Sequence, residues 1–242
     1  MVSIKIIAWR RWVWQPALLV AACAGDNGPA SRPLDVSKNS AADPPAAAER
    51  GVVLFVGTSL TAGYGLAPSQ AFPALVQSKI DSEGLPFRVV NAGVSGETSA
   101  GALRRIDWLL GQGPIAVLVI ETGANDGLRG QPPDSLRGNL RRMLERARAL
   151  TPAPHIIIAG MEALPNLGRV YAEQFRTIFP VVAREFDATY LPFMLDGVAG
   201  VDALNQADGV HPTAKGAERV AENVWQTLRP VLTQLNSQPG NR

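Results

Sequence analysis

One cysteine, Cys23, stands in the 242 residues, so no internal disulfide can staple the fold. Histidines number two and aromatic residues make up 6%, so any imidazole chemistry must use His155 or His211. No run of about 18 uncharged apolar residues occurs, which excludes a multi-span membrane protein. Charge is scarce and balanced. Six of the 23 basic and four of the 21 acidic residues fall in the first fifty, leaving seventeen of each sign. A neutral domain has no bulk attraction for nucleic acid. What is present is 46% hydrophobic residues, enough for one core of ordinary size and not for a disordered or collagen-like chain.

The first fifty residues have a different character. Lys5, Arg10 and Arg11 precede an apolar stretch, Trp12–Ala22, broken by Gln15 and Pro16. This order reads as an export signal over 1–22. Arg10-Arg11 also suggests twin-arginine export, which the flanking tryptophans fit poorly. Leu19-Val20-Ala21-Ala22-Cys23 resembles a bacterial lipobox, which implies cleavage before Cys23, lipidation of Cys23 and an envelope-anchored protein. A plain cleaved signal with an ordinary cysteine is the bland alternative. Residues 23–50, rich in Ala, Pro, Ser and Asp, lack the apolar side chains to fold and read as a disordered tether. Residues 236–242 read as a frayed tail.

From Gly51 onward short apolar runs alternate with amphipathic segments. Val52–Val56, Phe87–Val90, Ala116–Ile120, Ile156–Ala159 and Thr189–Met194 are predicted strands, apolar on both faces as in a sheet covered on both sides. Asp134–Leu150 and Thr213–Leu228 carry apolar stripes at helical spacing. In the first of these, the arginines opposite the stripe read as a solvated face. Strands alternating with helices over 51–235 imply an α/β fold, a three-layer αβα sandwich with right-handed crossovers.

In such a sheet, ligands bind beyond the carboxyl ends of the strands. Four polar segments follow strands or open a helix there: Gly57–Thr61, Asn91–Thr98, Glu121–Gly127 and Asp208–Pro212. Ser59 sits at a strand-to-helix turn that Gly57 allows. A serine needs a base, and the base needs an orienting partner. His155 precedes a strand, at the wrong end of the sheet, and is expected to be structural. His211 opens the last helix, and Asp208 lies three residues earlier. Ser59, His211 and Asp208 thus form a candidate nucleophile, base and orienter. The Ser59 N–H, the Gly93 N–H and the Asn125 side-chain amide are candidate oxyanion donors. Ser95 lies in Gly-Val-Ser-Gly, which is not a nucleophile elbow. Asp126 is expected to brace a loop, and Glu97 and Thr98 either line the second loop or support it.

Gly57-Thr58-Ser59-Leu60, Gly93, Gly123-Ala124-Asn125-Asp126 and Asp208-Gly209-Val210-His211 resemble, in order, the four blocks of the GDSL/SGNH hydrolases. Thr61–Leu66 and Gly123–Gly130 are most similar to the bacterial arylesterase, acyl-CoA thioesterase and lysophospholipase branch. The resemblance spans Val52 to Leu232. It implies a flavodoxin-like sheet of order 2-1-3-4-5, catalysis by Ser59, Asp208 and His211, and an oxyanion hole of Ser59, Gly93 and Asn125. It implies no metal and no cofactor. The family's usual Asp before the serine is Thr58 here, which implies a retuned site.

The expected function is a serine esterase acting on acyl or aryl esters, thioesters or lysophospholipids. The alternatives are an O-acetylesterase of envelope carbohydrate and a lipid- or glycan-binding lipoprotein without catalysis, for which Thr58 is the support.

Overall fold

A computed structural model describes residues 50–163 and 165–237. The leader, Cys23 and all of the tether except Arg50 lie outside the described residues. Arg50 pairs with Asp81, and the first strand begins at the next residue.

Five strands form the sheet: β1 (Gly51–Gly57), β2 (Phe87–Gly93), β3 (Val117–Ile120), β4 (His155–Ala159) and β5 (Thr189–Leu191). Their order is β2-β1-β3-β4-β5 and all pairs are parallel, as expected. Val53–Val56 and Val117–Ile120 are buried throughout. That two-sided burial is why these runs do not alternate polar with apolar. Each such side chain taken from water contributes on the order of 1.5–3 kcal/mol.

The helices are α1 (Ser59–Ala62), α2 (Phe72–Ser82), α3 (Ser99–Leu110), α4 (Ala124–Leu128), α5 (Pro133–Arg148), α6 (Arg169–Glu185) and α7 (Ala214–Ser237). Helix α2 packs on α7, while α3 packs on α5 and α5 on α6. This is the two-sided cover that right-handed crossovers produce when the chain turns back once, between β2 and β3. No described helix is long and apolar enough to cross a membrane.

Strand β2 runs to Gly93, past the predicted end at Val90, and the differences at two other ends have a visible cause. The last strand stops at Leu191 rather than Met194, because Pro192 has no N–H to give the ladder. The chain then leaves the sheet, and Phe193 lines a cleft. Helix α7 runs through Ser237, so Asn236 and Ser237 are helical rather than frayed. Pro230 does not stop it, because the buried Val231 and Leu232 and then Leu235 continue the apolar stripe. Residues 238–242 lie outside the described residues.

Candidate active site

At the carboxyl end of β1 the chain turns sharply into α1. Gly57 is required there by close approach: a Cβ would fall 2.0 Å from Thr61 Oγ1 and 2.7 Å from Glu121 Oε2. Thr58 is extended and Ser59 opens α1. Beneath this turn, at the carboxyl end of β3, lies Glu121, 1% exposed. Glu121 Oε2 accepts the backbone N–H of Thr58 at 2.8 Å, the Thr61 hydroxyl at 2.8 Å and the Thr61 N–H at 3.3 Å. The Thr58 hydroxyl spans both carboxyl oxygens at 3.0 and 3.1 Å. Burial pushes the Glu121 carboxyl above its ordinary range, against the pull of these donors. Thr58 thus donates into Glu121, where an ionised aspartate could only accept.

The second half of the site lies 152 residues further on. A short 3₁₀ turn, Asp202–Leu204, precedes the loop that leads into α7. Asp208 Oδ1 accepts the N–H groups of Val210 and His211 at 2.9 and 3.0 Å, a local side-chain turn. Its Oδ2 lies 2.7 Å from His211 Nδ1. The backbone N–H and then the ring of His211, with the Val210 N–H, lower the Asp208 pKa to about 2. An ionised carboxylate only accepts, so Nδ1 carries the proton and Nε2 presents its lone pair. The Ser59 hydroxyl is 2.8 Å from that Nε2. Tyr64 packs its ring against the imidazole, with centroids 4.6 Å apart and a 42° tilt. Serine, histidine and aspartate meet at one rim of the sheet, as expected.

The three expected oxyanion donors differ in availability. The Ser59 N–H is the first amide of α1 and has no protein acceptor among the described residues. Asn125 stands in α4 behind Gly123, whose φ of +106° suits glycine. Its Nδ2 donates to the Glu97 carbonyl at 3.0 Å and keeps a second hydrogen. The Gly93 N–H is not open: it donates to Asn91 Oδ1 at 2.9 Å, and Asn91 Nδ2 in turn holds the Thr61 carbonyl at 2.7 Å. Gly93 is a glycine because α1 crosses it, a Cβ falling 2.3 Å from the Ala62 nitrogen.

The remaining predicted residues resolve into supports. Glu97 lies in a bidentate pair with Arg105, whose guanidinium also reaches the Ala92 carbonyl at 2.7 Å. It ties the second loop to β2. Thr98 caps α3 through its carbonyl, which accepts the Ala102 N–H. Asp126 is buried and accepts the N–H and hydroxyl of Ser99 at 2.8 and 2.6 Å, bracing that loop as expected. His155 opens β4 at the opposite end and bonds Thr189 at 2.8 Å. Its pKa is lowered first by burial and then by Arg148. Ser95 lines the cleft, but the imidazole's bonds go to Ser59 and Asp208. Among the described residues no cluster of three or more His, Cys, Asp or Glu could hold a metal ion.

Ser59, Asn125 and His211 open onto a cleft of about 580 Å³. Its walls include Leu128, Met161, Ala163, Phe193, Leu195 and Val210. Reading the sequence missed Glu121, Asn91, Tyr64 and Gln206. Glu121, Asn91 and Tyr64 each stood inside a segment already singled out, and only the fold shows what they touch.

A hydroxyl held to an imidazole that a carboxylate orients is the arrangement of serine-nucleophile hydrolases. The chain belongs to the GDSL-like lipase/acylhydrolase family, which matches residues 55–219. It is 44% identical over 180 residues to the esterase TesA of Pseudomonas aeruginosa, covering 74% of this chain and 89% of that one. It is 37% identical over 186 residues to the thioesterase 1/protease 1/lysophospholipase L1 of Escherichia coli, covering 77% and 87%. Among solved structures it is similar to the psychrotrophic esterase EstA from Pseudoalteromonas, inhibited by monoethylphosphonate. The TM-score is 0.71, with 32% identity and coverage of 76% of this chain and 99% of that one.

Proposed function

We propose that this protein is a serine hydrolase of acyl and aryl esters, working through an acyl-enzyme on Ser59. The observation that carries the reading is the continuous relay from Ser59 Oγ to His211 Nε2 at 2.8 Å and from His211 Nδ1 to Asp208 Oδ2 at 2.7 Å. Ser59 Oγ attacks the ester carbonyl carbon as its proton passes to Nε2. The carbonyl oxygen becomes an oxyanion, received by the Ser59 N–H and the Asn125 amide. The Gly93 N–H joins them when the oxyanion replaces Asn91 Oδ1. His211 returns the proton to the leaving alkoxide, the C–O bond breaks and the acyl group stays on Ser59. Water repeats the sequence and releases the acid. Asp208 stabilises the imidazolium at both stages and keeps its own charge.

The apolar cleft favours substrates with an acyl or aryl group able to fill it, since such surface leaving water supplies binding energy. An acetyl group would leave most of it empty, which weighs against the carbohydrate O-acetylesterase reading. The names of the relatives, an esterase and a thioesterase/lysophospholipase, support acyl ester and thioester substrates. The phosphonate on EstA supports attack by an activated oxygen, because phosphonates mimic the tetrahedral intermediate. Ser59→Ala tests the reading: it folds as the wild type does and loses nearly all hydrolysis of p-nitrophenyl esters. Wild-type turnover by that variant would overturn it.

We infer further, from the sequence around Cys23, that the enzyme is exported and acylated there. In a bacterial host, Cys23→Ala abolishes incorporation of labelled palmitate. Continued labelling of that variant would contradict the anchor.

A further inference from the structure

Ser59 and His211 come from segments far apart in the chain, and something must hold them at proton-transfer distance. The side-chain amide of Gln206 spans the gap. Its Nε2 donates to the Tyr64 carbonyl at 2.7 Å and to the Pro212 carbonyl at 2.9 Å. Its own N–H donates to the His211 carbonyl at 2.7 Å, and its carbonyl accepts the Gly209 N–H at 2.9 Å. The Tyr64 N–H, in turn, donates to the Ser59 carbonyl at 3.0 Å. Apart from the Ser59–His211 bond itself, Gln206 to Tyr64 is the one hydrogen bond among the described residues that joins 58–66 to 204–213. The fit is close on the other side as well. Gly65, at φ +76°, has no room for a Cβ, which would fall 2.3 Å from Gln206 Oε1.

We propose that Gln206 is a positioning residue: by holding both the Tyr64 and the Pro212 carbonyls, its amide sets the separation of Ser59 and His211. The proposal rests on the serine-hydrolase reading and adds a residue outside the reacting atoms. Both amide hydrogens are spent, one on each segment, so the clasp needs a double donor of this length. Its loss lets the histidine loop drift from the serine while each keeps its local structure. Misplacement by about 1 Å costs on the order of 100-fold in rate.

The test uses two variants of nearly the same shape, Gln206→Glu and Gln206→Met, with kcat taken per site titrated by a fluorophosphonate so that only folded sites count. At pH 8 both lose on the order of 100-fold in kcat, with KM within about twofold. Lowering the pH to 5 begins to protonate the new carboxyl in Q206E and returns one donor in that fraction, so its kcat relative to wild type rises. The Q206M ratio stays flat. Groups common to all three proteins cancel in the ratio. Wild-type kcat in both variants overturns the proposal, and so does an equal loss in both at every pH, which is the mark of a merely structural role. Ser59→Ala run alongside separates the two claims. Activity in S59A sinks the hydrolase reading, whereas a dead S59A with full-rate Q206E and Q206M sinks the clasp alone.

Discussion

Two carboxylates stand near the reacting groups, and their surroundings drive them in opposite directions. Glu121 is sealed beneath the Ser59 turn, and burial raises its pKa despite its several donors. Asp208 has a side chain 42% exposed, and three donors, two backbone N–H groups and the imidazole, lower its pKa to about 2. The buried one holds a backbone turn in shape. The open one faces the imidazole and keeps its negative charge throughout the working range. The same functional group serves as scaffold or as electrostatic partner according to whether water reaches it.

The largest break in this comparison is expected from Asp208→Asn. The amide can present N–H to Nδ1 and reverse the tautomer, so kcat falls by roughly 10³- to 10⁴-fold. The melting temperature changes little, because the side chain is exposed; steady-state kinetics with thermal melts would show both. Glu121→Ala should do the reverse. It strands the buried donors of Thr58 and Thr61, and loss of even one buried partner costs about 1–3 kcal/mol. Denaturant unfolding should therefore register a loss on the order of 3 kcal/mol, with activity falling only as far as the turn loosens.

A subtler effect is pH dependence. A raised carboxyl pKa means that the stability from Glu121 is fully present below its ordinary value of 4.5 and is lost as pH rises through the folded-state value. Glu121→Gln should therefore flatten the decline in melting temperature above that pH. Asp208 works with the opposite sign. Its contribution, small for so exposed a side chain, is present above 3.8 and lost as pH falls through about 2, so Asp208→Asn removes the slope on the strongly acid limb. The smallest effect belongs to Thr58→Val, which removes one donor to Glu121 and keeps the shape. A loss of about 1 kcal/mol in denaturant unfolding is expected, and an unchanged stability would show that the backbone donors hold Glu121 by themselves.

Much of this architecture was legible in the sequence because burial on both faces leaves unbroken apolar runs. Val53–Val56 and Val117–Ile120 could hardly be anything else. The Asp208-x-x-His211 turn was legible because both partners lie within four residues. The clasp and the scaffold were not, since they depend on contacts between distant segments. Nothing local marks Gln206 as the partner of Tyr64, 142 residues away, or Glu121 as the acceptor for Thr58. The partner of the Gly93 amide was hidden for a similar reason. A glycine at a turn signals close approach of some backbone, and here α1 crosses it while its N–H rests on Asn91. The strand beginning at Thr189 was overextended because Phe193 and Met194 are apolar, while Pro192 between them and the ladder decided where pairing ends.

The central claim is that one serine oxygen, and not its neighbour on the same cleft, is activated by His211. Exposure of the folded protein to a fluorophosphonate, followed by mapping of the adduct by peptide mass spectrometry, tests it most directly. A single adduct on Ser59, formed at a rate that collapses in His211→Ala, is the result this structure requires. An adduct on Ser95, or labelling of Ser59 that proceeds at the same rate without the imidazole, would contradict it.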